Sequence, residues 1–293
     1  MTGPITSGIV DTMIGFPTDP DQLFATMRRQ MLRDRESKES FVMPASYMFH
    51  DVPSHEVTAE TDPVAVTLTE MDRFGIEVGM VSLSAARPAA ERALTEHPDR
   101  FVASWTMDPN RGMDGIRELV AEHERWNIRA VSLFPHGVTP QVPIDAALMY
   151  PVYAKCVELG IPVFVTAGVA GPRVPSKCQH VELLDQVLYD FPDLVVVIRH
   201  GAEPWVDLAV KLMIKWPNLY YSTSAFAPRY YPKAVIDYAN TRGADKLIYG
   251  GYFPMGLQLE RIVAEFDGVP LKDEVWPKFL RDNARRVLGL DGR

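Results

Sequence analysis

The sequence is poor in cysteine and has no excess of positive charge. Only two cysteines, Cys156 and Cys178, occur in 293 residues. That is too few for a disulfide framework, so we expect both thiols to be free in a reducing compartment. Lysine and arginine together number 30 against 38 aspartate and glutamate residues, a formal net charge of -8 at pH 7. Because nucleic-acid-binding proteins usually carry a basic surface, this balance argues against a nucleic-acid partner.

Long hydrophobic runs and the common nucleotide and acyl-enzyme motifs are also missing. No run of about 18 uncharged apolar residues occurs, and the first residues, MTGPITSGIV, lack the basic and then apolar stretches of a signal peptide. A G-x-S-x-G elbow and a Walker phosphate loop are absent as well. We therefore expect a cytoplasmic protein with no membrane partner that acts on a small molecule.

Eight short runs rich in β-branched and aromatic residues recur along the chain, each followed by a longer segment with helical spacing. They are IVDTMI (9–14), VGMVSLS (78–84), FVASWTM (101–107), AVSLFP (130–135), PVFVTAG (162–168), LVVVIRHG (194–201), LYYSTSA (219–225) and KLIYGG (246–251). Such alternation is typical of a parallel sheet covered by helices, and eight repeats favour a single-domain α/β fold, the (β/α)8 TIM barrel. A doubly wound open sheet is the alternative, although it usually begins with a glycine-rich turn that is missing after the first run.

Residues 16–62 form one long departure from this alternation. The segment is rich in proline, arginine and methionine and follows the first strand, on the side where a barrel carries its active site. Long loops in compact domains are usually lids or interaction elements. We predict either a lid over the site or an arm that contacts a second copy in a homodimer, and the sequence leaves both open.

Polar residues gather where the predicted strands end, which is where TIM barrels place their chemistry. The candidates in chain order are Asp11, Met13, Arg87, Asp108, His136, Thr166, Arg173, His200, Ser222, Ser224, Arg229 and Tyr252. Strict alternation along the first strand predicts that Asp11, Met13 and Gly15 share the inward face. The same rule predicts that Arg199, next to His200, points away from the barrel interior into the helical layer.

Five segments carry a family resemblance that covers nearly the whole chain. They are HPDRFVASWTMDP (97–109), IPVFVTAG (161–168), LVVVIRHGAEPW (194–205), KLIYGGYFPMG (246–256) and FLRDNARRVLGL (279–290). Their order resembles the amidohydrolase-related family, which includes aminocarboxymuconate-semialdehyde decarboxylase, aromatic-acid decarboxylases and lactonases. The last segment, with Asn283, Ala284 and Arg286, is the most specific match. The resemblance implies a hydrolase or a carbon-carbon lyase built on a TIM barrel.

The chain departs from that family at the metal ligands. Members typically bind a divalent metal through His-x-His on strand one, a histidine ending strand five and an aspartate ending strand eight. The resemblance puts Met13 and Gly15 at the strand-one positions, Thr166 at the third and Tyr252 at the fourth. A thioether, a bare backbone and two hydroxyls are poor ligands for zinc or manganese, so we predict no metal and no other cofactor. A shifted site built from three other residues is the alternative: His136, His200 and Asp108.

The resemblance implies that His200, the strand-six histidine, serves catalysis, so we predict that it is a general acid/base. His136 either shares proton transfer or holds a carboxylate, and Asp11 is either catalytic or structural. The hydroxyls of Thr166, Ser224 and Tyr252 either stabilise an oxyanion or fill the vacated metal site with their own hydrogen bonds. Arg87, Arg173 and Arg229 are candidate clamps for a substrate carboxylate, unless they only solvate their loops.

These roles combine into one hypothesis and one rival. The first is a metal-independent enzyme that hydrolyses or decarboxylates a small carboxylated cyclic, aromatic or lactone-like compound. The rival is a catalytically silent barrel kept as a ligand-binding or scaffolding subunit. A catalyst should keep a pocket lined by His200, whereas a scaffold can fill it with Met13, Tyr252 and Phe253.

Overall fold

The fold is built on a parallel sheet of eight strands in sequential order, as the sequence predicts. The computed structural model describes residues 8–19, 23–39, 46, 57–58 and 60–291. The strands are β1 (Ile9–Asp11), β2 (Ile76–Ser82), β3 (Phe101–Thr106), β4 (Ala130–Leu133), β5 (Val163–Thr166), β6 (Val196–Arg199), β7 (Leu219–Ser222) and β8 (Leu247–Ile248). Strands that are consecutive in the chain are neighbours in the sheet, so no crossover leaves a topological switch point and the open-sheet alternative is wrong.

Helices alternate with these strands and cover the outside of the sheet. They are α1 (Ala25–Gln30), α2 (Arg35–Glu39), α3 (Pro63–Arg73), α4 (Arg87–Glu96), α5 (Gly112–Trp126), α6 (Tyr150–Leu159), α7 (Leu183–Asp190), α8 (Val206–Lys215), α9 (Lys233–Ala239), α10 (Leu259–Glu265) and α11 (Asn283–Val287). None of the described helices is long and apolar enough to cross a bilayer. Helices α1 and α2 belong to the insertion, and much of the rest of 16–62 lies outside the described residues.

The first and last strands meet and close the sheet into a barrel. The backbone N–H of Thr12 donates to the Tyr249 carbonyl oxygen, that of Gly15 to Phe253, and that of Tyr252 to Met13. The Thr12 hydroxyl donates to the same Tyr249 oxygen at 2.7 Å. These bonds lie just beyond the ends of β1 and β8, so the closure itself shapes the mouth of the barrel.

An apolar cluster fills the lower part of the barrel. Its members are Val10, Met80, Val102, Ala130, Phe164, Val197 and Ile248 from the strands and Ala284, Leu288 and Leu290 from the C-terminal segment. Helix α11 therefore covers the N-terminal end of the barrel. Asn283 holds it there, because its side-chain amide donates to the carbonyl oxygens of Ala244 and Leu247, both at 2.8 Å. The motif that carried the strongest family resemblance is thus part of this covering element.

Candidate functional site

The inward face changes from apolar to polar toward the C-terminal ends of the strands. Phe164 and Val197 belong to the inner cluster, and two residues further along the same strands lie Thr166 and Arg199, which alternation places on the same face. Thr166 and Arg199 are direct partners in the register of β5 and β6. Both are nearly inaccessible, with 3% and 2% of their surface exposed. A polar layer therefore lies above the apolar floor.

Arg199 occupies the centre of this layer, so the prediction that it points outward is wrong. Its Nη1 donates to the Met13 sulfur at 3.4 Å and to the Ser132 hydroxyl at 3.3 Å, and its guanidinium lies 4.4 Å from the ring centroid of Phe134. Burial lowers the pKa of Arg199 to about 10, so the side chain is charged at neutral pH. Val197 and Arg199 share the inward face of β6, and Arg199 is the last residue of that strand. The prediction put His200 on this face instead, one residue further along.

His200 reaches the site by leaving the strand geometry. It follows the last residue of β6 and has a left-handed backbone, with φ of 65°, so its side chain no longer follows the pleat. Its ring stacks on Phe134 at 6.2 Å and meets the edge of Tyr252 at 5.3 Å. The Ser224 hydroxyl accepts the backbone N–H of His200 at 3.3 Å and lies 3.2 Å from its Nδ1. Burial, helped by the charge of Arg199, holds the pKa of His200 well below its usual value.

His136 is oriented by Gln179, a residue that sequence reasoning missed because its loop carries no motif. The Gln179 amide nitrogen donates to the Gly168 carbonyl oxygen at 2.9 Å, which turns its oxygen toward Nδ1 of His136. An amide oxygen only accepts, so Nδ1 carries the proton and Nε2 has a free lone pair. Burial also lowers the pKa of His136, and Arg199 adds to the effect. Both imidazoles are therefore neutral at pH 7.

Asp11 lies behind the site and not inside it, contrary to the strand-one prediction. Val10 belongs to the inner cluster, so Asp11 faces the outer layer, where its Oδ2 and the Tyr249 hydroxyl both crowd Gly251. Its Oδ1 accepts the backbone N–H groups of Met13 and Gly251, each at 2.8 Å. Desolvation by burial raises the pKa of Asp11 to about 6. The carboxylate thus fixes the two turns that present Met13 and Tyr252.

The arginines proposed as carboxylate clamps already have acidic partners. Arg87 begins α4 and binds Glu91 at 2.9 Å and Glu122 at 2.7 Å. Arg173, in the loop after β5, binds Asp34 and Glu36 of the insertion, both at 2.8 Å. Their charges are neutralised within the chain. Arg229 likewise lies 3.4 Å from Glu265.

The residues at the barrel mouth do not fit the metal that the family resemblance implies. Met13 and Thr166 flank a fixed guanidinium, which would repel a dication. The shifted alternative fails too: no group of three or more histidine, cysteine, aspartate or glutamate side chains is assembled among the described residues. Asp108 instead accepts the backbone N–H of Asn110 at 2.9 Å and caps a turn. That no metal binds stays a prediction, which the metal content of the purified protein would test.

A cavity of about 280 Å³ opens at the opposite end of the barrel, away from these residues. It is lined by Leu94, Pro98, Phe101, Val102, Ala103, Arg125, Trp126 and Asn127. These residues lie around the start of β3 and the end of α5 and include no histidine, cysteine or carboxylate. The mouth, with its two imidazoles, buried guanidinium and hydroxyls, is therefore the candidate site.

Known proteins resemble the chain along nearly its whole length. Among curated proteins, none matches the chain. An uncharacterised TIM-barrel protein from Bordetella bronchiseptica shares 25% identity, with 97% of this chain and 99% of that chain covered and a TM-score of 0.71.

Two decarboxylases share the fold at lower identity. The 2,6-dihydroxybenzoate decarboxylase from Rhizobium is 16% identical over 98% of this chain and 100% of its own, with a TM-score of 0.65. The 5-carboxyvanillate decarboxylase from Sphingomonas paucimobilis is 15% identical over 96% and 99%, also with a TM-score of 0.65. The amidohydrolase family model matches residues 23–290. The chain therefore belongs to the amidohydrolase family.

Proposed function

We propose that this amidohydrolase works without a metal ion and hydrolyses or decarboxylates a small carboxylated cyclic, aromatic or lactone-like compound, with His200 as general acid/base. The observation that carries the proposal is the pair of neutral imidazoles, His136 and His200, which both contact the Phe134 ring. Burial lowers the pKa of both rings, so each is neutral and presents one lone pair and one N–H group to a substrate.

The hydrogen bonds at the two imidazoles suit them to opposite steps. His136 Nε2 carries a lone pair, because Gln179 accepts the proton of Nδ1. The Ser224 hydroxyl, which accepts the backbone N–H of His200, also lies 3.2 Å from Nδ1 of the ring. Donating its own proton there would leave Nε2 of His200 protonated. In lactone opening, His136 would take a proton from water as the water oxygen attacks the carbonyl carbon. His200 would give its Nε2 proton to the leaving oxygen as the ring C–O bond breaks, and would regain a proton from the imidazolium of His136, so that both rings end neutral.

The hydroxyls around the imidazoles supply the remaining polar contacts. Thr166 and Ser222 lie on the strands flanking β6, and their hydroxyl oxygens are buried without a partner in the described part of the chain. Tyr252 packs against His200. Hydroxyls held in place before the reaction stabilise an oxyanion without reorganising. Ser224, in contrast, is taken up by His200 and serves as its support.

Turnover of defined compounds tests the proposal. The probes are 2,6-dihydroxybenzoate and 5-carboxyvanillate, followed by CO₂ release, and a carboxylated γ-lactone, followed by ring opening. On whichever compound reacts, His200→Ala should lower kcat by roughly a hundredfold or more, the usual contribution of a general acid/base. His97→Gln, at the far end of α4, is the matched control and should leave kcat unchanged. Full activity of the His200→Ala variant would remove the proton-transfer role.

A specific observation also favours the rival scaffold hypothesis. Met13 and Phe134 cover the guanidinium of Arg199, as side chains would in a site that has been filled. A protein that turns over none of the three probes, and whose unfolding temperature falls on replacement of Arg199, would support that reading.

A further inference from the structure

Arg199 is a buried charge without a counter-charge. Only 2% of the residue is exposed, and burial depresses its pKa. No carboxylate in the described residues forms an ion pair with it. A guanidinium that is removed from water and left unpaired destabilises the ligand-free protein. An anionic ligand that reached Arg199 would supply the missing counter-charge.

One edge of the guanidinium is buried and has no hydrogen-bond partner among the described residues. Nη1 is engaged by Met13 and Ser132, whereas Nε and Nη2 are buried and have no partner among the described residues. These two N–H groups point the same way and match the two oxygens of a carboxylate. The hydroxyl oxygens of Thr166 and Ser222, on the two neighbouring strands, are also buried and unpartnered within the described chain. The unpartnered edge of Arg199 thus lies on β6 between two strands that each carry a hydroxyl without a partner in the described part of the chain.

We propose that Arg199 binds the carboxylate of the substrate through Nε and Nη2, in the place where the resembled family holds its metal. Three of the four positions assigned to metal ligands surround the guanidinium: Met13 bonds to it, Thr166 pairs with it in register, and Tyr252 interacts with its charge. A fixed single charge thus replaces the dication. The inference rests on the proposed function only for the identity of the ligand as a substrate.

The geometry also restricts which carboxylate is bound. A bidentate guanidinium stabilises the ionised carboxylate in the ground state, and such stabilisation opposes loss of that same group as CO₂. Arg199 therefore anchors a carboxylate that survives the reaction. The reacting group, a lactone carbonyl or a second carboxylate, lies on the side of His136 and His200. The substrate class is a compound that bears an anchoring carboxylate besides its reactive group.

Calorimetric titration with benzoate tests the site without requiring turnover. Benzamide, the neutral analogue of the same shape, is the ligand control. Arg199→Met should weaken benzoate binding by about tenfold or more, because two charge-assisted hydrogen bonds are lost. Arg199→Lys should bind more weakly than the original protein but better than Arg199→Met. Arg173→Met, whose guanidinium is already paired with Asp34 and Glu36, should bind as the original does.

Thermal unfolding separates a binding residue from a structural one. Without ligand, Arg199→Met should unfold at the same temperature or higher, since an apolar side chain replaces an unpaired buried charge. No benzoate binding by the original protein, equal binding of benzamide, or unchanged binding in Arg199→Met would each overturn the proposal. So would a lower unfolding temperature of that variant.

Failure of the two proposals can be told apart. Benzoate binding through Arg199 without turnover of any probe would leave the anion site standing and remove the proposed function. Turnover with unchanged kcat/KM in Arg199→Met would do the reverse.

Discussion

At the scale of single residues, Asp11 shows how a buried group supports the site from behind. Its carboxylate accepts the backbone N–H groups of Met13 and Gly251, while Oδ2 is buried without a partner among the described residues. Desolvation raises its pKa from an ordinary 3.8 to about 6. Between those values the folded protein binds more protons than the unfolded chain, so the contribution of Asp11 to stability falls as pH rises toward 6.

Asp11→Asn should therefore flatten this part of the pH dependence. The amide oxygen still accepts both N–H groups, but no charge is buried. The free energy of unfolding of the variant, relative to that of the original protein, should be higher at pH 7 than at pH 4. We expect this relative increase to be about 3 kcal/mol, the equivalent of two pKa units. Urea denaturation at the two pH values measures this. Asp114→Asn, at a side chain that is 80% exposed, is the control, and parallel profiles for Asp11→Asn and the original protein would contradict the expectation.

At the scale of elements, the C-terminal helix α11 depends on one buried amide. Asn283 is fully buried and bonds to two carbonyl oxygens at the start of β8. Asn283→Ala leaves the buried Leu247 oxygen and the partly buried Ala244 oxygen without this donor, so we expect a loss of roughly 2–4 kcal/mol in free energy of unfolding. Asn218→Ala, which removes an exposed bond to Pro192, should cost less in the same urea experiment. Equal losses would show that burial of the bonds is not what matters.

The insertion is tied to the barrel mouth by ion pairs at the loop after β5. Arg173 binds Asp34 and Glu36, and the three side chains are 38%, 34% and 61% exposed. Exposed pairs contribute little to global stability, so Arg173→Met should hardly change the unfolding temperature. It should instead speed tryptic cleavage within residues 23–39, since local opening becomes easier. Arg87→Met, whose partners lie on α4 and α5, is the control, and equal cleavage rates in all three proteins would rule out this tether.

At the scale of the whole molecule, the metal content decides between a metal-dependent and a metal-independent site. The described residues assemble no ligand cluster, and a guanidinium holds the centre of the mouth. We expect elemental analysis of untagged, chelator-free protein to find far less than one zinc or manganese per chain. One equivalent would contradict the assignment of Met13, Gly15, Thr166 and Tyr252 to the ligand positions.

Much of the fold followed from local patterns. Each of the eight β-rich runs became a strand, because a run that is apolar on both faces is stable only between a barrel interior and a helical layer. It was harder to predict which face of the sheet a side chain occupies at the end of a strand. The strand-one and strand-six errors share a cause: the pleat stops at Asp11 and Arg199, and His200 then turns through a left-handed conformation.

The sequence by itself determined the barrel and its family, since these depend on which residue types recur at which spacing. The replacement of the usual metal ligands stays a prediction from the same motifs. Only the tertiary structure decided that Arg199 is the central cation, that Gln179 and Ser224 orient the imidazoles, and that Asp11 lies behind the site. The reason is physical. Those roles depend on hydrogen bonds between residues far apart in the chain, and on burial that no local pattern records.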